Sequence, residues 1–151
     1  MANTYSSLFY HAVFSTKLRQ GWIAPSIEDR VWRNIGGIAR GIDCTAVAVG
    51  GIEDHLHALL MVPPKYAPSE VVMKLNANSS RFIHEEFGNL GSFGWQDGFG
   101  IFSVSKSAVP EVIEYIRNQR IHHAKMSFEE EYRELLRLHD VDPRDGIYIF
   151  G

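Results

Sequence analysis

A single cysteine, Cys44, occurs in 151 residues. No internal disulfide framework can form, and a reducing compartment is the simple expectation. No apolar run approaches the roughly 18 residues that a membrane span requires, so no membrane partner is expected. The opening stretch MANTYSSLFYHAVFSTKLRQ lacks a basic segment ahead of an apolar one, so no signal peptide is expected. Together these absences point to the cytoplasm. Repeats and low-complexity segments are missing too. So is an excess of basic charge: the net charge is −3, which by itself argues against a nucleic-acid partner.

What is present describes an ordinary folded domain. Hydrophobic residues make up 45% and charged residues 22%, which excludes a disordered chain. A length of 151 residues fits a single domain with a core that needs no staples. The charge is unevenly spread. Residues 127–145 carry seven acids, Glu129, Glu130, Glu131, Glu134, Asp140, Asp142 and Asp145, against Arg133, Arg137 and Arg144. The remainder carries 11 acids and 12 bases, so a local basic surface for phosphates is available.

Residues 7–15 (SLFYHAVFS) are aromatic and β-branched without helical period, and predict a strand that runs into a polar turn at 16–21. Ser26, with Asp29 three residues on, predicts an N-cap. Ile27, Val31, Ile35, Ile38 and Ile42 follow at helical spacing, so a helix is expected over 27–41. Gly36-Gly37 costs that helix about 1 kcal/mol per glycine. Residues 44–50 and 54–62 predict a hairpin around Gly50-Gly51, closed by Pro63-Pro64. A second helix is expected at 69–87, opened by Ser69, with Val72, Leu75, Phe82 and Ile83 on its apolar side. After a glycine-rich loop, 99–105 reads as a fourth strand, 110–124 as a third helix and 128–139 as an acidic fourth. The order β-α-β-β-α-β is that of the ferredoxin-like split βαβ arrangement. The expected class is therefore α+β: a four-stranded antiparallel sheet plus C-terminal helices. One domain spans 1–151, with its core at about 5–106, the third helix at about 110–124, and the acidic helix and tail at about 127–151.

Two constellations carry chemistry. In Asp54-His55-Leu56-His57 the strand alternation puts His55 and His57 on one face, where two imidazoles either bind one divalent metal or sit on the sheet surface. In the helix PEVIEYIRNQRIHHAK, Tyr115, Gln119 and His122 fall at i, i+4 and i+7 on one polar stripe. The phenol is a candidate nucleophile for phosphoryl transfer, with an amide oxygen able to reach the same metal. The competing reading is an amphipathic helix with an interfacial tyrosine. Lys74, Asn78 and Arg81 form a polar stripe on the second helix, and Lys17 and Arg19 lie beyond the first strand. Trp95 and Phe99 flank a glycine loop, either to stack on a base or to plug the sheet. His11, His84 and His139 have no partner in the sequence and read as structural, and a zinc hydrolase would lack an evident third histidine or carboxylate ligand near the pair.

The set Thr16-Lys17-Leu18-Arg19, Asp54-His55-Leu56-His57, Leu75 to Arg81, Trp95-Gln96-Asp97-Gly98-Phe99, Phe102-Ser103-Val104-Ser105 and Tyr115-Ile116-Arg117-Asn118-Gln119 resembles the HUH endonucleases with one catalytic tyrosine. More narrowly, it resembles the small transposases of bacterial insertion sequences that move as single-stranded DNA, and their relatives associated with repetitive extragenic palindromes. That resemblance implies a DNA transposase. His55, His57 and Gln119 would bind a divalent metal, Mg²⁺ or Mn²⁺, that polarises the scissile phosphate. Tyr115 would attack to give a 5′-phosphotyrosine and a free 3′-OH. Lys17, Arg19, Lys74, Asn78 and Arg81 would hold a DNA hairpin of the element end. It further implies a homodimer, the tyrosine acting in cis or on the partner's histidines, and association with the nucleoid when bound to DNA. A replication-initiator or relaxase-type nickase would use the same groups. A non-catalytic ferredoxin-like nucleic-acid module is the reading from another class.

Overall fold

The computed structural model describes residues 3–142. The part of the expected acidic tail beyond residue 142, with Arg144 and Asp145, lies outside the described residues. The elements follow as β1 (Phe9–Ser15), α1 (Pro25–Gly41), β2 (Thr45–Ile52), β3 (His55–Met61), α2 (Pro68–Glu86), β4 (Gly100–Val104), α3 (Val109–Arg117), α4 (Gln119–His123) and α5 (Phe128–Leu138). All strand pairs are antiparallel, in the order β2-β3-β1-β4. This is the split βαβ order. No described helix is long and apolar enough to cross a membrane.

Helices cover both faces of the sheet. Val31, Ile35 and Ala39 of α1 and Val71, Val72, Leu75 and Ile83 of α2 pack with Phe14, Leu56, Ala58 and Leu60 in one core. On the other face, Val109 and Ile116 of α3 meet Phe9 and Leu59. Beside them Phe128, Tyr132, Leu135 and Leu136 of α5 meet Val13 and Phe102. Strand alternation sorts β3 between the layers: Leu56, Ala58 and Leu60 face α1 and α2, while His55, His57 and Leu59 face α3 to α5. All residues of β3 but Met61 are therefore buried, and the two histidines lie under helices, not on an open sheet surface.

Several boundaries differ from the sequence expectation for local reasons. The first helix starts at Pro25 with Ala24 at its N-cap, not at Ser26, because proline lacks an N–H to leave unpaired in the first turn. β2 runs straight through Gly50-Gly51, and the chain turns at Glu53-Asp54 instead. A Cβ on Gly50 would lie 2.5 Å from the Ile116 carbonyl oxygen. The glycine serves the close approach of α3, not a turn. The expected 110–124 helix is bent: Asn118, at φ −97 and ψ 23, separates α3 from α4. Hydrogen bonds from the Asn118 N–H to Glu114 and from the His122 N–H to Asn118, both 3.1 Å, carry the chain through the bend. The second helix opens at Pro68, again ahead of the expected serine. For α5, Ser127 Oγ accepts from the Glu130 N–H at 3.1 Å, and Glu129, Glu130 and Glu131 occupy its first turn, where the helix dipole favours carboxylates.

Candidate active site

The register of the central strands builds the floor of the site. His55 pairs with Ser15 and His57 with Val13, which leaves His11 diagonal to His57 on the same face. His55 Nδ1–H donates to Asp54 Oδ1 at 2.8 Å. A carboxylate can only accept, so His55 turns Nε2 towards the helices. His57 Nε2 lies 2.9 Å from Glu131 Oε1, and its Nδ1 is 2.8 Å from His11 Nε2. Both histidines of the pair are fully buried, and Phe128 stacks on His55 with ring centroids 4.3 Å apart.

The helices supply the rest. The bend at Asn118 brings Gln119 inward, where its Oε1 is 2.9 Å from His55 Nε2. Its amide donates to Glu131 Oε2 at 3.1 Å. Tyr115 Oη donates to the same Oε2 in a short hydrogen bond, and its ring centroid lies 5.6 Å from that of His57. Thus Tyr115, Gln119, His55 and His57 converge within one chain, and Glu131 of α5 ties them together. Tyr115 and His11 also line a groove between the end of β4, α3 and α5. His123, one turn after Gln119, places Nε2 3.1 Å from both Gln119 Oε1 and Glu131 Oε1. His122, the expected member of the stripe, instead sets its ring against Tyr115 at 4.8 Å.

Electrostatics follow from this packing. Burial opposes charge on His55, but its hydrogen bonds to Asp54 and Glu131 prevail and raise its pKa to about 9. Burial lowers His57 to about 4, against the pull of Glu131. Burial, with His57 as neighbour, lowers His11 to about 3. Burial opposes charge on Glu131 as well, yet hydrogen bonds from His123, His55 and His57 hold it ionised well below the usual carboxylate range. The Tyr115 phenol is pushed above its ordinary value by burial and by the Glu131 charge.

The donor set suits a divalent cation. His55, His57 and Glu131 offer ligand atoms within 4.8 Å of one another, and the Gln119 oxygen adjoins them. Asp54 and His11 hold the outer nitrogens, as partners of metal-bound imidazoles do. Glu131 escaped the sequence reading because it sits in an acidic run that looks like a solvated helix face. Its 2% exposure distinguishes it from Glu129 and Glu130 of the same run. The period of α5 was the available signal, since Phe128, Glu131, Tyr132 and Leu135 share one face.

The expected DNA-contacting residues fall in two places. Lys17 and Arg19 follow β1 at the same end of the sheet as His55, in a turn where Leu18 and Arg19 have φ of 58 and 54. Arg19 is bonded to Glu129 of α5 at 3.0 Å. Lys74, Asn78 and Arg81 lie on α2, in the layer opposite the histidines. There the Asn78 amide donates to the Lys74 carbonyl at 2.9 Å, and Arg81 donates to Asn78 Oδ1 at 3.2 Å. Trp95 is buried edge-on against Phe14 and Phe93, and donates to Ser79 Oγ at 2.9 Å. It plugs the core.

Comparison with known proteins adds an independent line. The sequence profile described as "Transposase IS200 like" matches residues 4–119. Over 129 residues the chain is 30% identical to the transposase for insertion sequence element IS200 of Salmonella typhimurium LT2, covering 79% of this chain and 81% of that protein. The protein of the same description from Salmonella typhi matches equally. A crystal structure of a Deinococcus radiodurans R1 protein, provisionally called a transposase, superposes with TM-score 0.65 at 24% identity, covering 79% of this chain and 95% of that one. A REP-associated tyrosine transposase bound to a REP hairpin superposes with TM-score 0.60 at 12% identity, covering 83% and 74%. At these identities the two structures speak for the fold.

Proposed function

The chain belongs to the IS200-like transposase family, and on that premise we propose that it nicks and rejoins single-stranded DNA ends through Tyr115. The observation that carries this reading is the convergence of the Tyr115 phenol with His55, His57, Gln119 and Glu131 in one buried cluster. The phenolic oxygen attacks the scissile phosphorus and forms a tyrosine–phosphate ester on the 5′ side. The P–O3′ bond breaks, and the leaving oxygen takes a proton to become a free 3′-OH. Attack by another 3′-OH reverses the exchange, so strands rejoin without an external energy source.

Each side chain has a task in that scheme. Glu131 accepts a hydrogen bond from the Tyr115 phenol in the resting chain, which aims the tyrosine oxygen at the cluster. Asp54 and His11 orient the two imidazoles. A divalent cation, Mg²⁺ or Mn²⁺ in the family resembled, would be held by His55, His57, Gln119 and Glu131 and would neutralise charge on the phosphate. His55 and His57 have no exposed surface beneath Phe128 and Glu131. Entry of a phosphate therefore requires the side chains that cover the pair, Phe128 above all, to move aside. Lys17 and Arg19 then face the strand near the cut, while Lys74, Asn78 and Arg81 hold a hairpin from the other layer. The solved neighbour bound to a REP hairpin supports such a ligand. Two copies of the chain would hold the two DNA ends.

The test is covalent capture. Tyr115→Phe removes one hydroxyl and leaves hairpin binding near that of the unmodified protein. On single-stranded substrate the protein–DNA adduct, read as a shifted band in a denaturing gel, disappears. Adduct persisting in the folded variant would exclude Tyr115 as nucleophile.

A further inference from the structure

The sequence offered two histidines and an amide as metal ligands. The structure adds a third imidazole whose proton is fixed by its surroundings. His123 Nδ1 lies 2.8 Å from the Met126 carbonyl oxygen. A carbonyl only accepts, so Nδ1 carries a proton and donates it. With Nδ1 so engaged, Nε2 is the atom the ring turns inward, with the side chain only 5% exposed. What Nε2 meets is two oxygens, Gln119 Oε1 and Glu131 Oε1, each at 3.1 Å. Neither oxygen has a hydrogen to give when Glu131 is ionised.

The same oxygen of Glu131 is approached by His57 Nε2 at 2.9 Å and by His55 Nε2 at 3.3 Å. Three imidazole Nε2 atoms and two oxygens thus face one another across a buried space, with the outer nitrogen of each ring tied elsewhere: His55 to Asp54, His57 to His11, His123 to Met126. Such a convergence of nitrogens and oxygens requires a positive centre among them. In the absence of a cation, protons must fill that role. A divalent ion would replace them and satisfy every donor at once.

We propose that His123 is a third imidazole ligand of the cation, and that the site therefore selects a first-row transition ion such as Zn²⁺ over Mg²⁺. This rests on the reading of the cluster as a metal centre given above. The selectivity follows from donor chemistry. Imidazole nitrogen suits borderline transition ions, whereas Mg²⁺ prefers an all-oxygen shell and keeps most of its water. Three nitrogens in five donors leave Mg²⁺ poorly served. Mn²⁺ binds between the two, since affinity for such sites rises from Mn²⁺ to Zn²⁺.

The experiment is calorimetric titration of the chelator-treated full chain with Zn²⁺, Mn²⁺ and Mg²⁺ in turn, together with the visible spectrum of the Co²⁺-loaded protein. Two variants separate structure from ligation. His123→Asn keeps an N–H near the Met126 carbonyl but cannot reach the cluster. His123→Gln puts an amide where Nε2 stood. We expect Zn²⁺ to bind at least ten times more tightly than Mg²⁺. In His123→Asn, Zn²⁺ affinity falls by about 10–100-fold or more, since even the outer partners of metal ligands are worth that much. His123→Gln recovers part of it, and the Co²⁺ bands shift in both. Unchanged Zn²⁺ affinity and Co²⁺ spectrum in His123→Asn, with binding lost in His55→Ala and His57→Ala, would overturn His123 as a ligand and leave the metal centre standing. Mg²⁺ binding as tight as Zn²⁺ would overturn the selectivity. Failure of any ion to bind, or binding indifferent to His55→Ala and His57→Ala, would overturn the metal centre and this proposal with it.

Discussion

His11, His55 and His57 lie on one sheet face, yet their environments drive them in opposite directions. His55 has carboxylates on both sides and is raised to about 9. For His57 and His11 burial outweighs the pull of Glu131, and they are lowered to about 4 and about 3. The consequence for stability has a definite sign. A histidine lowered on folding is neutral in the native chain but binds a proton when unfolded below about 6.5, so its contribution is lost as pH falls. For His57 and His11 the loss begins near pH 6.5 and continues through about 4 and about 3 respectively. A raised histidine works the other way: the His55 contribution is present below pH 6.5 and is lost as pH rises through about 9. Glu131, depressed on folding, adds to the acid-side loss below its ordinary range. The metal-free protein should therefore melt at its highest temperature at about pH 6.5 to 7 and lose stability on both sides, on the alkaline side through about 9. Calorimetric scans in chelator across pH 4 to 9.5 would show it, and a flat profile from pH 6.5 down to 4 would contradict the assigned burial of His11 and His57. Residue by residue, the histidine pair was legible because alternation in a strand is rigid geometry. Glu131 and His123 were not, because each sits beside chemically similar residues, and only tertiary packing decides which one turns inward.

Among the elements, β2 and α3 show how a local rule yields to a close approach. Gly50-Gly51 carries the composition of a turn, yet the strand passes through it because the carbonyl end of α3 needs the space a side chain would take. The bend at Asn118 was hidden for the related reason that its sequence keeps helical spacing on either side. By contrast α5 was legible almost to the residue, since its capping serine and its apolar period agree. The Gly50 contact gives a test of how α3 positions Tyr115. In Gly50→Ala the new Cβ would fall 2.5 Å from the Ile116 oxygen, backbone that cannot rotate aside. The variant should lose about 1–3 kcal/mol, the usual cost of overpacking, and should form less DNA adduct because Tyr115 precedes Ile116 directly. Gly36→Ala is the control. A Cβ there meets nothing within 4 Å in the middle of α1, and the change should stabilise by about 0.4–1 kcal/mol through the unfolded chain. Urea unfolding of both reads the difference. Equal stability of the two variants would mean that α3 yields freely at this contact.

For the whole molecule, the question left by the sequence was whose tyrosine serves whose histidines. A ferredoxin-like unit is complete at β4, and a helix appended after it is free to cross to a second copy. The chain instead closes on itself. Gly50 brings α3 onto its own β2, Glu131 bonds both its own Tyr115 and its own His57, and Arg19 pins α5 to the loop after β1. The apolar anchors of α5 are buried in the same chain. A cis site asks nothing of a partner for cleavage, even though a two-fold pair remains the natural way to hold two DNA ends for exchange. Subunit mixing separates the arrangements. Tyr115→Phe protein is combined with the double variant His55→Ala, His57→Ala under conditions that exchange subunits. In a cis site neither chain has both halves of the machinery, so the heterodimer forms no adduct. In a trans site one centre joins intact histidines to an intact tyrosine, and adduct returns on the chain that carries Tyr115. The packing of α3 and α5 on their own sheet predicts the first result. Restored adduct in verified heterodimers would show that both helices leave this position when two chains meet on DNA.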